Sequence, residues 1–160
     1  MKLISKGWLI NMEETSVLVI TSGGFDPLHD GHVEYLKKAK QLFRRTIHIC
    51  IVNNDNFLLK KKGYCVLNQQ QRMKIIGELN CVDFVFRSDD EDESVKDSIE
   101  KVYHKYNGYF SKVVFAKGGD RYKNEIPESG ICKQLGIAIV DGLGEKIESS
   151  SEMMKRVISS

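Results

Sequence analysis

Two histidines and two glycines bring the groups best suited to chemistry into one short stretch. The segment Gly23 to His32 reads GGFDPLHDGH, with His29 and His32 three positions apart. A spacing of three places both imidazoles on one face of a helix. Glycine lets a polyphosphate approach the backbone closely, and the unpaired N–H groups of a helix start attract an anion. The pattern therefore predicts a phosphate site formed by Gly23, Gly24, His29 and His32.

Two other interpretations of the histidines have to be weighed. Either histidine alone is more often a helix cap or a turn residue than a ligand contact. A His-x-x-His pair can also bind zinc, but no further cysteine or acidic residue lies at a matching spacing, and we assign no metal-ligating side chain. In a phosphate site, an imidazole donates an N–H and, when protonated, offsets charge that develops on a departing phosphate.

The elements around this segment alternate between strand and helix. Val17 to Thr21 is a continuous β-branched run that predicts a strand buried on both faces. A helix from Gly31 to Arg45 and a strand from Thr46 to Val52 complete one βαβ unit. Asn53 to Asn68 is polar and lysine-rich, and we expect a long irregular loop there.

The alternation continues to the end of the chain. Further strands are predicted over Val82 to Phe86, Lys112 to Ala116 and Ile137 to Val140, and further helices over Gln69 to Leu79, Ser94 to Tyr106, Gly130 to Gly136 and Ser149 to Ile158. This pattern predicts an α/β fold, a doubly wound, five-stranded parallel Rossmann-like sheet with helices on both faces. Ligands of such sheets bind beyond the carboxyl ends of strands where the winding reverses, here after strands one and four. We expect the acidic stretch Asp89 to Glu93 to be solvated.

Composition limits the classes of protein to which the chain can belong. The length of 160 residues suits one domain, which we place at 15–160 behind an N-terminal extension at 1–14. The 24 basic and 22 acidic residues nearly cancel, which argues against nucleic-acid binding. No apolar run approaches the roughly 20 residues of a membrane span. The four cysteines form no CxxC pair, so free thiols and a cytoplasmic location are expected.

The segment Gly23 to His32 resembles the HxGH signature of the nucleotidyltransferase (cytidylyltransferase-like) superfamily. The pattern is most similar to heptose-1-phosphate adenylyltransferases and glycerol-3-phosphate cytidylyltransferases. Members of the superfamily join a nucleoside triphosphate to a phosphorylated small molecule and release pyrophosphate. The resemblance implies that His29 and His32 bind the triphosphate and stabilise the transition state, that Phe25 and Asp26 belong to the nucleotide-binding motif, and that Mg²⁺ bridges the phosphates.

Three further segments extend the resemblance. Lys60 to Lys62 looks like the lysine-bearing loop of the family and Arg72 like its helix arginine, which implies substrate-phosphate contacts for Lys60, Lys62 and Arg72 and a catalytic role for Lys62. Without the resemblance these would be a solvated lysine run and an exposed helix arginine. The remaining matches, each also explicable as a turn or a helix cap, imply nucleotide contacts for Lys117, Gly118, Gly119 and Asp120, and γ-phosphate contacts for Ser149, Ser150 and Ser151.

The sequence departs from glycerol-phosphate cytidylyltransferases at two places. The arginine expected near Gly144 is missing, and Ser88, Asp89 and Asp90 stand where those enzymes carry a lysine after the third strand. We therefore expect a different phosphorylated acceptor, either a sugar or a polyol phosphate, with ATP and CTP both open as the nucleotide. The alternatives are a cofactor-precursor adenylyltransferase of the pantetheine-phosphate or flavin type, and a non-catalytic nucleotide-binding module.

The oligomeric state is left open by the sequence. Members of the family commonly form dimers, so the resemblance includes a homodimer among the expected states. Four aromatic residues are candidates for such a contact or for the core: Tyr103, Tyr106, Tyr109 and Phe110.

Overall fold

Five parallel strands form one sheet in the computed structural model, which describes Leu9 and residues 16–119, 126–144 and 150–159. The strand order is β3-β2-β1-β4-β5. In chain order the elements are β1 (Val17–Gly23), α1 (Asp30–Lys40), β2 (Thr46–Val52), α2 (Asp55–Lys62), α3 (Gln69–Gly77), β3 (Phe84–Arg87), α4 (Lys96–Tyr106), β4 (Lys112–Gly118), α5 (Ser129–Leu135), β5 (Ala138–Leu143) and α6 (Ser150–Ser159). Helices cover both faces, so the predicted doubly wound parallel sheet is confirmed.

The winding reverses at β1, which lies between β2 and β4. Leu18, Val19 and Ile20 of this strand are completely buried, because successive side chains enter the hydrophobic layers on opposite faces of the sheet. The loops that follow β1 and β4 therefore emerge side by side at the carboxyl edge. This is the arrangement that the sequence predicted for the ligand site.

A helix occupies part of the segment that was expected to be a loop. The Asn54 side chain caps α2 by accepting a hydrogen bond from Phe57 N at 2.8 Å, and Gly63 ends the helix in the left-handed conformation with φ of 82°. Phe57 and Leu58 are buried but adjacent in sequence. Because they do not show the three-to-four-residue spacing of an amphipathic helix, the periodicity argument missed it.

The acidic stretch before α4 is solvated except at one residue. Asp90 is buried, and its carboxylate accepts hydrogen bonds from Ser88 Oγ at 2.7 Å and from Asp97 N at 2.8 Å. The expectation of a solvated stretch is therefore wrong for Asp90, which satisfies the free N–H groups at the start of α4.

Core packing accounts for most of the aromatic residues considered for a dimer contact. Tyr106 is buried in the core, and Tyr103, Tyr109 and Phe110 are partly buried against it. Leu9 also lies in this core, with 6% of its surface exposed. The rest of the predicted extension at 1–14 lies outside the described residues.

Two general expectations can be compared directly with the structure. All four cysteines are free thiols, as predicted. Among the helices of the described ranges, none has the length and apolar character needed to cross a bilayer.

Candidate functional site

The two histidines cap helix α1 by means of each other. His29 is the N-cap residue, and its Nδ1 accepts a hydrogen bond from His32 N at 3.4 Å, while His32 Nδ1 accepts one from His29 N at 3.3 Å. The two rings stack with centroids 3.7 Å apart and planes inclined by 19°. This is a capping box in which imidazoles take the places usually held by hydroxyl and carboxylate groups. The spacing argument correctly placed both rings on one side of the helix.

Both imidazoles are neutral in the free protein. Burial, together with the neighbouring His29 and Lys62, lowers the pKa of His32 to about 3. Burial likewise lowers the pKa of His29, partly opposed by Asp30. Because each Nδ1 accepts a backbone N–H, the single ring proton of each histidine must be on Nε2. The pair therefore offers two Nε2–H donors to an acceptor such as a phosphate oxygen.

The turn before the histidines depends on two glycines. Phe25 adopts a left-handed conformation with φ of 52°, and its ring lies against Gly23, where an added Cβ would be only 2.6 Å from the ring. The edge of the same ring meets His32 with centroids 5.2 Å apart. A Cβ on Gly24 would lie 2.6 Å from Leu58 in α2. Phe25 thus positions His32 by packing, and the glycines allow the close approach.

Asp26 joins this turn to the segment after α2. Its fully buried carboxylate accepts hydrogen bonds from Val66 N at 2.7 Å and Leu67 N at 2.8 Å. Its main-chain oxygen accepts one from Lys62 Nζ at 3.2 Å. The carboxylate predicted to contact the nucleotide is already engaged by main-chain amides, so the structure gives Asp26 a positioning role.

Of the predicted lysines, Lys62 lies beside the histidines and Lys60 does not contact the same residues. Burial lowers the pKa of Lys62, and its charge acts on both imidazoles. The Lys60 Nζ instead donates to the Glu91 main-chain oxygen at 2.8 Å, at a cavity beyond β2 and β3. We call the loop Gly23–His32 together with Lys62 the histidine corner.

Arg72 is buried, so its interpretation as an exposed helix arginine is wrong. Its guanidinium donates to the main-chain oxygens of Leu67 at 2.8 Å, Gly24 at 2.9 Å and Asn53 at 2.7 Å. It also pairs with the Asp55 carboxylate at 2.6 Å. These four contacts connect the glycine turn to the residue after β2, to the start of α2 and to the loop before α3. A substrate-phosphate contact by Arg72 stays a prediction, but these bonds by themselves make it a positioning residue.

The end of β4 lies next to that of β1. The Lys117 Nζ is 3.4 Å from Ser22 Oγ. A Cβ on Gly118 would lie 3.0 Å from the Tyr35 ring, and Gly119 has φ of 78°, so glycine is favoured at both positions. The loop predicted to face the histidine turn does share its sheet edge. Asp120, Ser149 and the side chains of Ser150 and Ser151 lie outside the described residues.

Two buried residues at this edge were missed by the sequence analysis. Glu128 Oε1 accepts a hydrogen bond from Val95 N at 3.2 Å, but Glu128 Oε2 has no partner among the described residues. Asn53, directly after β2, has a buried Oδ1 to which no group of the described ranges donates. A buried oxygen without a donor carries a desolvation cost that a ligand hydroxyl or amine would remove. The position of Asn53 at a strand end was the only available signal. Within the described ranges, no three His, Cys, Asp or Glu side chains converge on a metal-binding arrangement.

Known proteins match this chain over most of its length. The Cytidylyltransferase-like family model covers residues 20–152. The D-beta-D-heptose 1-phosphate adenylyltransferase of Bordetella bronchiseptica is 35% identical over 74% of this chain and 68% of its own length. The bifunctional protein HldE of Erwinia tasmaniensis is 33% identical over 80% of this chain, which spans only 28% of HldE. The FAD synthase of Methanolacinia petrolearia is 26% identical over 88% of this chain and 89% of its own length.

A solved structure shares the fold. The lipopolysaccharide core biosynthesis protein from Thermoplasma volcanium superposes with a TM-score of 0.60 at 22% identity, covering 80% of this chain and 97% of that one. With the family model matching residues 20–152 and the histidine turn inside that range, the chain belongs to the cytidylyltransferase-like family of nucleotidyltransferases.

Proposed function

We propose that this chain transfers the adenylyl group of ATP to a sugar phosphate and releases pyrophosphate. The observation that carries the proposal is the stacked pair of neutral imidazoles, whose Nε2–H groups are held ready by reciprocal Nδ1 bonds. ATP is favoured over CTP because the relative at 35% identity is named an adenylyltransferase. Its name also supports a sugar 1-phosphate as the acceptor.

The reaction is an in-line displacement at phosphorus. An oxygen of the acceptor phosphate attacks the α-phosphorus of the triphosphate, and the bond between the α-phosphorus and the bridging oxygen breaks to release pyrophosphate. No general base is required, because the acceptor phosphate is already ionised at neutral pH. His29 and His32 donate to triphosphate oxygens on which charge develops, and Lys62 adds a positive charge.

Magnesium is part of the proposal. Mg²⁺ prefers oxygen ligands and usually retains water while bridging substrate phosphates. The Asp26 carboxylate at the histidine corner is fully engaged by two main-chain amides, so a bound ion would be held mainly by phosphate oxygens and water. When bound, the ion would neutralise charge on the triphosphate.

The nucleoside is assigned to the β1/β4 side of the edge. Lys117, Gly118 and Gly119 lie there, and Asp120 and the serines 149–151 are proposed to contact the nucleotide with them. The unpartnered Oε2 of Glu128 is an acceptor for a hydroxyl or amine of the nucleoside.

Pyrophosphate release tests the proposal. The purified protein with Mg²⁺ and D-beta-D-heptose 1-phosphate is expected to release pyrophosphate with ATP and much less with CTP, GTP or UTP. Activity with CTP and not with ATP would show that the nucleotide substrate is CTP. Triphosphate binding in a thermal-shift assay, without release of pyrophosphate from the triphosphate in the presence of any phosphorylated acceptor, would indicate a non-catalytic module and refute the enzyme assignment.

A flavin adenylyltransferase is the second candidate. It is favoured by the FAD synthase match, which extends over 89% of that relative. FMN is the phosphorylated half of FAD, so it replaces the sugar phosphate in the same assay. Release of pyrophosphate with FMN and not with the sugar phosphate would establish this alternative.

A further inference from the structure

Tyr35 joins the helix of the histidine corner to β4. It lies three positions after His32 on α1, which places it one turn along on the same side of the helix. The residue is buried, with 7% of its surface exposed. Its hydroxyl donates to the Ala116 main-chain oxygen in β4 at 2.6 Å. The helix that begins at the histidines is thus bonded directly to the strand that carries Lys117 and Gly118.

The tyrosine bonds β4 where the hydrogen-bonded ladder of the sheet is interrupted. The pairing of β4 with β1 ends at Phe115, which lies opposite Ile20. The pairing of β4 with β5 shifts register between Ala116 and Gly118. Such a shift is typical of a β-bulge, and bulges are frequent beside active sites, where they re-aim side chains. The Tyr35 hydroxyl therefore supplies a hydrogen bond at the point where the regular ladder stops.

The ring of Tyr35 packs against the ends of two strands. A Cβ on Gly118 would lie 3.0 Å from the ring, so glycine lets the end of β4 approach closely. A Cβ on Gly144, after β5, would lie 3.6 Å from Tyr35 N. A shift of α1 toward β4 would compress the ring against Gly118, and a shift away from β4 would break the bond to Ala116. The two contacts together oppose movement in either direction.

The hydroxyl of Tyr35 remains a donor in this environment. Burial, together with the neighbouring Cys50, raises the pKa of Tyr35 well above its usual value. The phenol is therefore protonated at neutral pH, and the Ala116 carbonyl can only accept. Because the bond is buried, removing the hydroxyl leaves this carbonyl without that donor.

We propose that Tyr35 is a positioning residue, which fixes the distance between the two histidines and the end of β4 so that one nucleotide can contact both. This rests on the proposed function, in which the imidazoles hold the triphosphate and residues 117–119 lie beside the nucleoside. A ligand that spans two elements binds more tightly when the elements are already held at the matching separation. Tyr35 acts through these two elements and needs no contact of its own with the substrate.

Binding of ATP and of its two halves tests this role without any acceptor. Tyr35→Phe removes the hydroxyl but keeps the ring, and it is expected to weaken ATP binding by about fivefold, the change that corresponds to one hydrogen bond. Tripolyphosphate reaches only the histidines and adenosine only the β4 side, so each should bind the variant as tightly as the wild type. Tyr35→Leu also loses the ring contacts and should weaken ATP binding further. Isothermal titration measures ATP and tripolyphosphate, and ¹⁵N NMR titration measures adenosine.

A core variant of similar cost separates positioning from a general loss of stability. Ile99→Val shortens a completely buried side chain of α4, in the core on the other face of the sheet. Both Ile99→Val and Tyr35→Phe are expected to lower the melting temperature by about 2–4 °C. Only Tyr35→Phe should weaken ATP binding, because only this variant loosens α1 from β4.

Several results would overturn the positioning role. These are unchanged ATP affinity in Tyr35→Phe, the same loss of ATP affinity in Ile99→Val, and an equal loss for ATP and tripolyphosphate, which would confine the change to the histidine corner. A wild type that binds CTP in place of ATP is compared with CTP and cytidine, and one that binds no nucleoside triphosphate would refute both proposals. If the two halves are spared as expected but no pyrophosphate is ever released, only the proposed function fails.

Discussion

The histidine corner and a cavity of about 490 Å³ beyond the carboxyl ends of β2 and β3, which we call the β2/β3 cavity, lie on neighbouring strand ends but are built in opposite ways. In the corner, the main-chain and side-chain groups bond to one another, and the Nε2–H groups of both histidines are left to donate. In the cavity, Gln69 bonds the inner wall together, whereas the side chains of Asn56, Arg87 and Glu91 make no hydrogen bond with the residues that the structure describes. Preorganised donors stabilise charge as it develops, whereas free rim groups contribute to ground-state binding. Substitutions in the corner should therefore change kcat, and any effect of substitutions at the cavity rim should be on KM.

The largest effect is expected from His32→Asn. Asparagine keeps a side-chain oxygen that can accept from His29 N, so the capping bond can persist while the Nε2–H donor is lost. Turnover should fall by about 10²–10³-fold, the usual effect of removing one transition-state donor. The melting temperature and the acceptor KM should change little. His29→Asn is the companion variant, because asparagine is also a preferred N-cap residue.

A rise in KM at constant kcat for His32→Asn would contradict the comparison. It would show that the imidazole contributes equally to ground-state and transition-state binding. If His32→Asn does not fold, the kinetics of His29→Asn test the same comparison, because asparagine at position 29 can still cap the helix.

Arg72→Met should affect both regions at once. The guanidinium donates to Gly24 in the corner, to Asn53 at the end of β2 and to Leu67 before α3. Its loss leaves three main-chain oxygens without these donors, at about 1 kcal/mol each or about 3 kcal/mol in total. Denaturant unfolding should show that loss, and KM for both substrates should rise together. Arg72→Lys is the control that keeps the charge but not the fork of donors.

An Arg72→Met variant with normal stability would contradict the positioning role. Selective loss of acceptor binding, with stability and the KM for ATP intact, would instead support the substrate-phosphate contact implied by the family resemblance.

A histidine in the core gives a contrast with the corner that pH can measure. His48 Nδ1 lies 2.6 Å from the Cys81 main-chain oxygen and its Nε2 lies 2.7 Å from Thr21 Oγ1. The carbonyl can only accept, so the ring proton is on Nδ1 and no donor is left for a ligand. Burial lowers the pKa of His48 to about 4. Its neutral form is thus structural, whereas the corner histidines keep Nε2–H available.

Stability should fall as the pH drops below neutrality. Between pH 6.5 and pH 4 the unfolded chain binds a proton at His48 that the native protein does not bind. The free energy of unfolding therefore decreases as the pH is lowered through this range. From pH 7 to pH 5 the decrease from His48 is about 2 kcal/mol. Urea unfolding at these two pH values should show a smaller difference for His48→Gln than for the wild type. If the free energy of unfolding changes equally between pH 7 and pH 5 in the two proteins, His48 is not the group responsible for the pH dependence.

Much of this arrangement followed from local sequence signals. The continuous apolar run at Val17–Thr21 and the glycines after it were enough to place the sheet edge and the histidine turn. Helix α2 was missed because its buried residues are adjacent instead of periodic. Such a helix is defined by its cap, its terminal glycine and tertiary contact.

The partners of the site residues could not be read from the sequence. Asp26 accepts from amides about 40 positions later, and Arg72 donates to a carbonyl 48 positions earlier. The residue types indicate that Asp26 and Arg72 are charged, but only the folded structure shows that both bond to the main chain. The lining of the cavity comes from three separate segments, namely α2 with its cap, Gln69 and residues 87–91, so no local motif marks it.

The smallest effect is expected from Tyr64→Phe, beside Lys62 of the histidine corner. Tyr64 lies two residues after Lys62, whose Nζ is 5.9 Å from the centre of its ring, and its buried hydroxyl has no partner in the described structure. If the hydroxyl contacts no substrate, its removal should leave kcat and KM unchanged and should not reduce the melting temperature. A rise in acceptor KM of up to about tenfold, which corresponds to the loss of one hydrogen bond, would instead indicate that the Tyr64 hydroxyl contacts the acceptor. A fall in kcat alone would assign Tyr64 to the histidine corner, because the loss of an interaction made only in the transition state lowers kcat without changing KM.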